Sequence, residues 1–312
     1  MNAAFVGSVS SSYSCLEALI HGGVEITCVL GLDESQEQVV SDFRSLRGLA
    51  DQARLPFLPF FRVGEPAVAA FLRTYPADLL WVIGLSQLVP PRLLQFARRG
   101  GVGFHPTMLP RGRGRAPVAW TILLGERAAV SLFWLTDRPD AGDILAQREV
   151  PVLPDDYSED LIKRTNEVLR EVVLDLAPMI RSGELPRVPQ DEGQATYYLK
   201  RTPADGLIDW AQPTESVYRL IRAAGRPYPG AFTFSAGRKV IIWRAAPASG
   251  TDTEGRLPTA LPGMILSVDA AGKALVRTAD GALWITEAAA AGGSEVGIAG
   301  LLAEGVRLTT GV

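Results

Sequence analysis

Histidine, cysteine and asparagine are nearly missing from this chain. Its 312 residues include 2 Cys, Cys15 and Cys28, and 2 His, His21 and His105. Asparagine occurs only at Asn2 and Asn166. Two cysteines build neither a disulfide framework nor a metal cluster, and a reducing, cytoplasmic compartment is the expectation. Any mechanism that needs a His, or a His with an Asn, has very few places to find them. Charge of one sign is lacking too: 31 Lys and Arg stand against 34 Asp and Glu, a formal net charge of -3. That excludes a binder in which the whole chain acts as a cation on nucleic acid, while a local basic patch stays open. The longest apolar runs, such as Leu79 to Leu85, are too short to span a bilayer, so no membrane partner is expected. Met1 to Gly7 has no basic stretch and the first charged residue, Glu17, is acidic, so no secretory leader is expected.

What is present is a core and a clear order. Hydrophobic residues make up 47% of the chain, enough to bury a core without staples, and the length suits two domains. Short apolar runs read as strands at Ala3–Gly7, Glu25–Leu30, Leu79–Ile83 and Val102–Phe104. Between them, Cys15–His21 (after a polar turn, Ser10–Ser14), Asp42–Arg54, Pro66–Thr74 and Pro91–Ala97 read as helices. This alternation predicts an α/β fold, a doubly wound parallel sheet that takes ligands beyond the carboxyl ends of its strands. A long loop, Pro106–Pro117, precedes a helix at Val118–Leu124 and a strand at Ala129–Leu135. Ser158 opens a long helix to about Ile180, and Leu185–Gln194 reads as a connector. From Ala231 the pattern becomes short apolar pieces separated by turns, which suggests a smaller, open β-barrel domain. The boundary is placed at 200, giving domains 1–200 and 201–312. Ala288–Gly293 is the one low-complexity stretch and reads as a loop.

Chemistry concentrates in Gly103-Phe104-His105-Pro106-Thr107-Met108-Leu109-Pro110-Arg111-Gly112-Arg113-Gly114-Arg115-Ala116-Pro117. A His at the end of a parallel strand suits proton transfer near neutrality, or simply bonds a loop. His21, before Gly22-Gly23, reads as a helix-end contact. The Arg-Gly alternation makes either a flexible anion-binding loop or a solvated one. Asp140-Ala141-Gly142-Asp143 is either a plain turn or a carboxylate that orients the His. Glycine-rich phosphate loops are absent: Gly7 lacks its second glycine, and Gly272-Lys273 is followed by Ala274.

Taken jointly, His105-Pro106-Thr107-Met108-Leu109-Pro110, Arg113-Gly114-Arg115-Ala116-Pro117 and Asp140-Ala141-Gly142-Asp143-Ile144 resemble the 10-formyltetrahydrofolate-dependent formyltransferases. That family includes methionyl-tRNA formyltransferase and the sugar N-formyltransferases, and the interval from 105 to 140 is close to its usual His-to-Asp spacing. Lys200–Trp210 and Ile221–Phe232 look most like the formyltransferase domain acting on UDP-4-amino-4-deoxy-L-arabinose. The resemblance covers nearly the whole chain. It implies a Rossmann-like catalytic domain followed by a smaller barrel-like one, with 10-formyltetrahydrofolate as formyl donor. It also implies a small amine acceptor, a nucleotide-linked amino sugar first among the choices. A hydroxylamine from a siderophore precursor remains open as acceptor. Methionyl-tRNA is less favoured, because the C-terminal half has no basic run to hold nucleic acid. A homo-oligomer is left open.

By resemblance, His105 stabilises the charge on the formyl oxygen and moves protons, and Asp140 supports it. Folate would contact Gln87, Leu88, Val89, Arg115, Thr136 and Asp140, while Arg111, Arg113 and Arg115 would meet phosphate or carboxylate of the acceptor. One position departs from the family. Asn normally stands two residues before the His, and here that residue is Gly103. Losing one oxyanion donor costs about 10²–10³ in rate. Asn2 and Asn166 are poorly placed to replace it, which leaves the Gln87 amide as the candidate, against an ordinary folate-side or surface Gln. A folate- or nucleotide-binding protein that has lost catalysis is the alternative of a different class.

Overall fold

The computed structural model describes residues 1–252, 260–292 and 298–311. Its chain order is β1 (Asn2–Gly7), α1 (Ser10–His21), β2 (Glu25–Leu32), α2 (Arg47–Gln52), β3 (Phe57–Phe60), α3 (Pro66–Thr74), β4 (Ala77–Ile83), α4 (Pro91–Leu94) and β5 (Ala97–Thr107). There follow β6 (Arg113–Gly114), α5 (Pro117–Leu124), β7 (Ala128–Trp134), β8 (Ile144–Val150), α6 (Ser158–Ser182) and β9 (Tyr197–Tyr198). The remainder holds α7 (Thr214–Ala224), β10 (Ala231–Ser235), β11 (Arg238–Pro247), β12 (Ile265–Val268), β13 (Ala274–Arg277), β14 (Ala282–Ala290) and α8 (Ile298–Leu301).

The chain divides into two units. One comprises Met1–Thr121, Arg127–Val152 and Asp160–Lys200; the other takes Ile122–Glu126, Leu153–Glu159 and Arg201–Val312. In the first, seven strands run in the order β3-β2-β1-β4-β5-β7-β8. The first five are parallel, and β7 and β8 join antiparallel. Strands β1 and β4 are apolar and buried on both faces, as a parallel sheet covered on both sides requires. The strand order reverses between β1 and β4, and it is past the ends of strands at such a point that sheets of this kind take ligands. There Ser12 Oγ accepts from Ser8 N and Val9 N at 3.0 and 3.1 Å and donates to Ile83 O at 2.6 Å. It thus staples two strand ends together.

The second unit holds a five-stranded antiparallel sheet, β10-β11-β14-β13-β12. Residues 305–309 close it: Val306 O accepts from Ile265 N on one edge, and Thr309 exchanges both backbone bonds with Phe234 on the other. Ile208, Ile221, Val240, Ile242, Leu283 and Ile285 form its core.

Several local expectations change. Ser10–Ser14 are helical rather than a turn, because the Ser12 hydroxyl satisfies backbone donors from inside the first turn. The helix expected over 42–54 shrinks to Arg47–Gln52, since Asp42 takes a left-handed φ of 61° and accepts from the Ser10 hydroxyl. The strand expected at Val102–Phe104 runs from Ala97 to Thr107, completed by pairing to β7. Ala288–Ala290, expected as a loop, pair with Ile242–Val240 as the end of β14, and Gly293 lies outside the described residues.

Candidate active site

His105 sits near the end of β5, paired with Ser131 of β7, and its side chain is buried. Two bonds tie down the chain just beyond it. Ser131 Oγ donates to Thr107 O at 2.6 Å, and Gln147 Nε2 donates to Leu109 O at 3.0 Å and to Ser131 Oγ at 2.8 Å. The loop then folds back, so that the Gly112 carbonyl lies 2.7 Å from His105 Nε2. A carbonyl oxygen only accepts, so Nε2 carries the proton and Nδ1 is the nitrogen left for other work. Asp140 Oδ2 stands 3.7 Å from Nδ1, longer than a hydrogen bond but close enough to place negative charge beside the ring.

The Asp140 backbone is left-handed, with φ 55°. That conformation favours glycine, so something must hold it. Gly114 N donates to Asp140 Oδ2 at 2.9 Å, and Gln190 Nε2 donates to the carbonyls of Asp140 and Gly142 at 2.9 and 2.7 Å. Gly114 itself, with φ 112°, is obligatory: a Cβ there would lie 2.4 Å from Tyr198 O.

Among the described residues no group of His, Cys, Asp and Glu could hold a metal ion. Both cysteines are buried free thiols, and burial raises Cys15 and pushes Cys28 up to about 11, so neither is a ready nucleophile.

Comparison with known families now decides the kinship. Residues 31–176 match the model described as formyl transferase, and residues 200–304 match that described as formyl transferase, C-terminal domain. The chain belongs to the formyltransferase family. Solved structures share this formyltransferase fold. HypX from Aquifex aeolicus in complex with tetrahydrofolic acid aligns with a TM-score of 0.69 and 21% identity, over 96% of this chain. This chain spans only 46% of the HypX chain. WlaRD, a sugar 3N-formyltransferase crystallised in the presence of dTDP and 5-N-formyl-THF, aligns at a TM-score of 0.64 and 13% identity, covering 94% of this chain and 99% of its own. An N-formyltransferase from Helicobacter canadensis, in complex with folinic acid and dTDP-3-aminofucose, gives 0.64 and 14%, covering 91% and 98%.

Within this family member the remaining expected site residues separate. Arg111 and Arg115 are exposed and carry no ion pair among the described residues. Arg113, expected to meet the acceptor, points inward and is 0% exposed. Its five N–H groups are taken by Gln190 Oε1 at 3.2 and 2.8 Å, Glu192 at 3.1 and 2.8 Å and Tyr197 Oη at 3.1 Å. It is a structural arginine, and that expectation is corrected.

Gln87, expected as a compensating amide or an ordinary folate-side or surface Gln, has its amide occupied within the protein. Its Oε1 accepts from Val63 N at 2.8 Å and its Nε2 donates to Phe61 O at 2.8 Å, so the amide joins the loop after β4 to residues 61–63. Asn166, poorly placed as a substitute, donates from Nδ2 to Ser10 Oγ at 2.7 Å. At Gly103, a Cβ would lie 2.7 Å from Leu135 Cδ2 and 2.8 Å from Phe133 Cζ. To admit an Asn there, the ends of the Leu135 and Phe133 side chains would have to move.

Leu88 is 78% exposed, with Val89 and Leu85 half-buried beside it. Thr136 closes its own turn, bonding the carbonyl of Arg138 at 3.0 Å. The residues missed from sequence are Ser131, Gln147, Gln190, Glu192 and Thr196. Gln190, Glu192 and Thr196 fall in or just after a stretch with no periodicity, and their partners lie far away in the chain, so no local signal marks them.

Proposed function

We propose that this protein transfers the formyl group of 10-formyltetrahydrofolate to the amine of a small acceptor, with a nucleotide-linked amino sugar as the first candidate. The observation that carries the reading is the His105–Asp140 pair at the end of β5, inside the matched formyl transferase segment. The folate supplies the formyl carbon; its nitrogen takes back one proton as the acceptor nitrogen forms the new C–N bond and loses one. The mouth of the sheet fits such a donor: Leu85, Leu88 and Val89 offer an apolar lip for a planar heterocycle.

The residues of the chain then divide the work. His105 Nδ1 is the ring atom free to hold or pass the moving proton, because Nε2 is fixed on Gly112. Asp140 offsets the positive charge when the ring takes that proton. Arg111 and Arg115, exposed and without an ion pair among the described residues, suit the phosphates of a nucleotide-linked acceptor.

Incubating the purified protein with 10-formyltetrahydrofolate and UDP- or dTDP-linked amino sugars should give an acceptor heavier by one formyl group. No product from any amine, hydroxylamine or methionyl-tRNA would sink the reading. A second reading, folate binding without turnover, is favoured by the apolar filling at Gly103. Tight folate binding by calorimetry with no product would support it.

A further inference from the structure

Residues 177–199 lie outside both matched segments, between the model ending at 176 and the one starting at 200. Within them Leu185–Gln194 reads by pattern as a connector, yet the chain from Val188 to Tyr198 is bonded to the candidate site along its length. Val188 exchanges both backbone bonds with Ile144, at 2.8 and 3.0 Å. Gln190 uses its whole carboxamide: two N–H groups on the carbonyls of Asp140 and Gly142, and Oε1 on Arg113. Glu192 grips Arg113 through both oxygens and Arg138 through one, at 2.8–3.1 Å. These two guanidinium groups hold the Glu192 carboxyl down at about 2. Thr196 Oγ1 accepts from Gly112 N at 2.8 Å, and Thr196 O accepts from Arg113 N at 3.0 Å. Tyr197 and Tyr198 pair in parallel with Arg113 and Gly114.

We propose that residues 188–198 are a positioning strap for the His105–Asp140 pair, in which Gln190 sets the Asp140 carboxylate beside Nδ1 and Thr196 sets the Gly112 carbonyl on Nε2. The argument is geometric. Asp140 holds a left-handed backbone, and the carbonyls on either side of Ala141 are both fixed by Gln190. Gly112, whose carbonyl selects the Nε2–H form of the ring, has its own N–H fixed by Thr196. The two contacts of the histidine therefore depend on two residues of the strap, neither of which touches the ring. Gln190 and Thr196 are positioning residues, and the strap belongs to the working part of the first unit.

The turnover arm of the test rests on the formyl-transfer reading; the spectroscopic arm does not. With only two histidines, His21→Gln leaves His105 as the single imidazole. In that background, nitrogen-15 NMR of labelled histidine should show the neutral ring of the wild-type site in one tautomer, with the proton on Nε2. Thr196→Val keeps the shape of an exposed side chain and removes only its hydroxyl, leaving Thr196 O on Arg113 N. Thr196→Val and Gln190→Leu should each blend the two tautomer signals and lower kcat by about tenfold or more. KM for donor and acceptor should stay within about twofold. Thr196→Ser, which keeps the hydroxyl, should restore both readouts. If Gln190→Leu fails to fold because Arg113 loses its partner, the Thr196 pair decides alone. Wild-type ring signals in Thr196→Val, and in Gln190→Leu where it folds, would overturn the strap. A wild type without turnover would overturn formyl transfer, and the ring signals would still decide the strap.

Discussion

His105 has two unlike flanks. On one side the loop 108–116 and the strap 188–198 form a polar frame in which carbonyls, amides and a buried guanidinium all find partners. On the other, Gly103 faces Phe133 and Leu135 across a filled apolar space. In the family pattern the residue at 103 would be a hydrogen-bond donor to the formyl oxygen. Here that flank can only pack. On the proposed reading, orientation and charge stabilisation would come from one side alone, through His105 and what holds it. Polar networks of this kind fix a geometry only when they are fully satisfied.

The hardest way to break the comparison is to remove the histidine. His105→Ala should lower kcat/KM for formyl transfer by about 10²–10⁴ while folate binding, followed by calorimetry, persists. Full activity in that variant would end the assignment. The apolar flank makes the next largest test. Restoring the family residue with Gly103→Asn should not help, because its Cβ starts 2.7–2.8 Å from Leu135 and Phe133. It should cost about 1–3 kcal/mol by denaturant unfolding, with no gain in rate. Making room with Phe133→Val in the same chain should raise the rate over the single variant, by up to about 10² if the amide reaches the formyl oxygen. A gain from Gly103→Asn alone would show that the filled space yields easily.

The two flanks were not equally legible in the sequence. Local pattern was enough for the parallel sheet, because Ala3–Gly7 and Leu79–Ile83 are apolar runs too short for helices and flanked by amphipathic ones. The His105 and Asp140 motifs were legible through resemblance, and the geometry adds which ring nitrogen is free. Arg113 could not be told from Arg111 and Arg115 by sequence, since all three share one Arg-Gly alternation. Only the strand-like pairing with Tyr197 turns the middle one inward, onto partners at 190 and 192. Gln87 stayed open between two readings for a related reason: an amide near a strand end carries no mark of which backbone it will bond.

That difference among the arginines sharpens the polar flank. Arg113→Ala should lower the melting temperature most of the three, because it leaves Gln190 and Glu192 without their shared cation. Arg115→Ala should leave the melting temperature unchanged and raise KM for an anionic acceptor by about tenfold. Acid probes the same frame more gently. Glu192 is held at about 2, below its ordinary range, so its contribution is complete above that range and fades as pH falls through about 2. Hydrogen exchange at Gly112 and Arg113 should therefore stay protected into moderate acid and be lost near pH about 2. Glu192→Gln should exchange faster already at neutral pH and lose that acid step.

The smallest effect belongs to Gln87, which tests whether the apolar flank is compensated from next door. Its amide is occupied by Phe61 O and Val63 N, each at 2.8 Å. Gln87→Ala should therefore cost about 1 kcal/mol of stability from two lost bonds at a partly exposed loop. Its kcat should stay within about threefold of the parent, with any change falling on KM for the folate, whose apolar lip the loop carries. A fall of about 10²–10³ in kcat with folate binding intact would instead make Gln87 the missing oxyanion donor. It would mean that the amide leaves Phe61 and Val63 when substrates arrive, and that the apolar flank of His105 is polar in the working state.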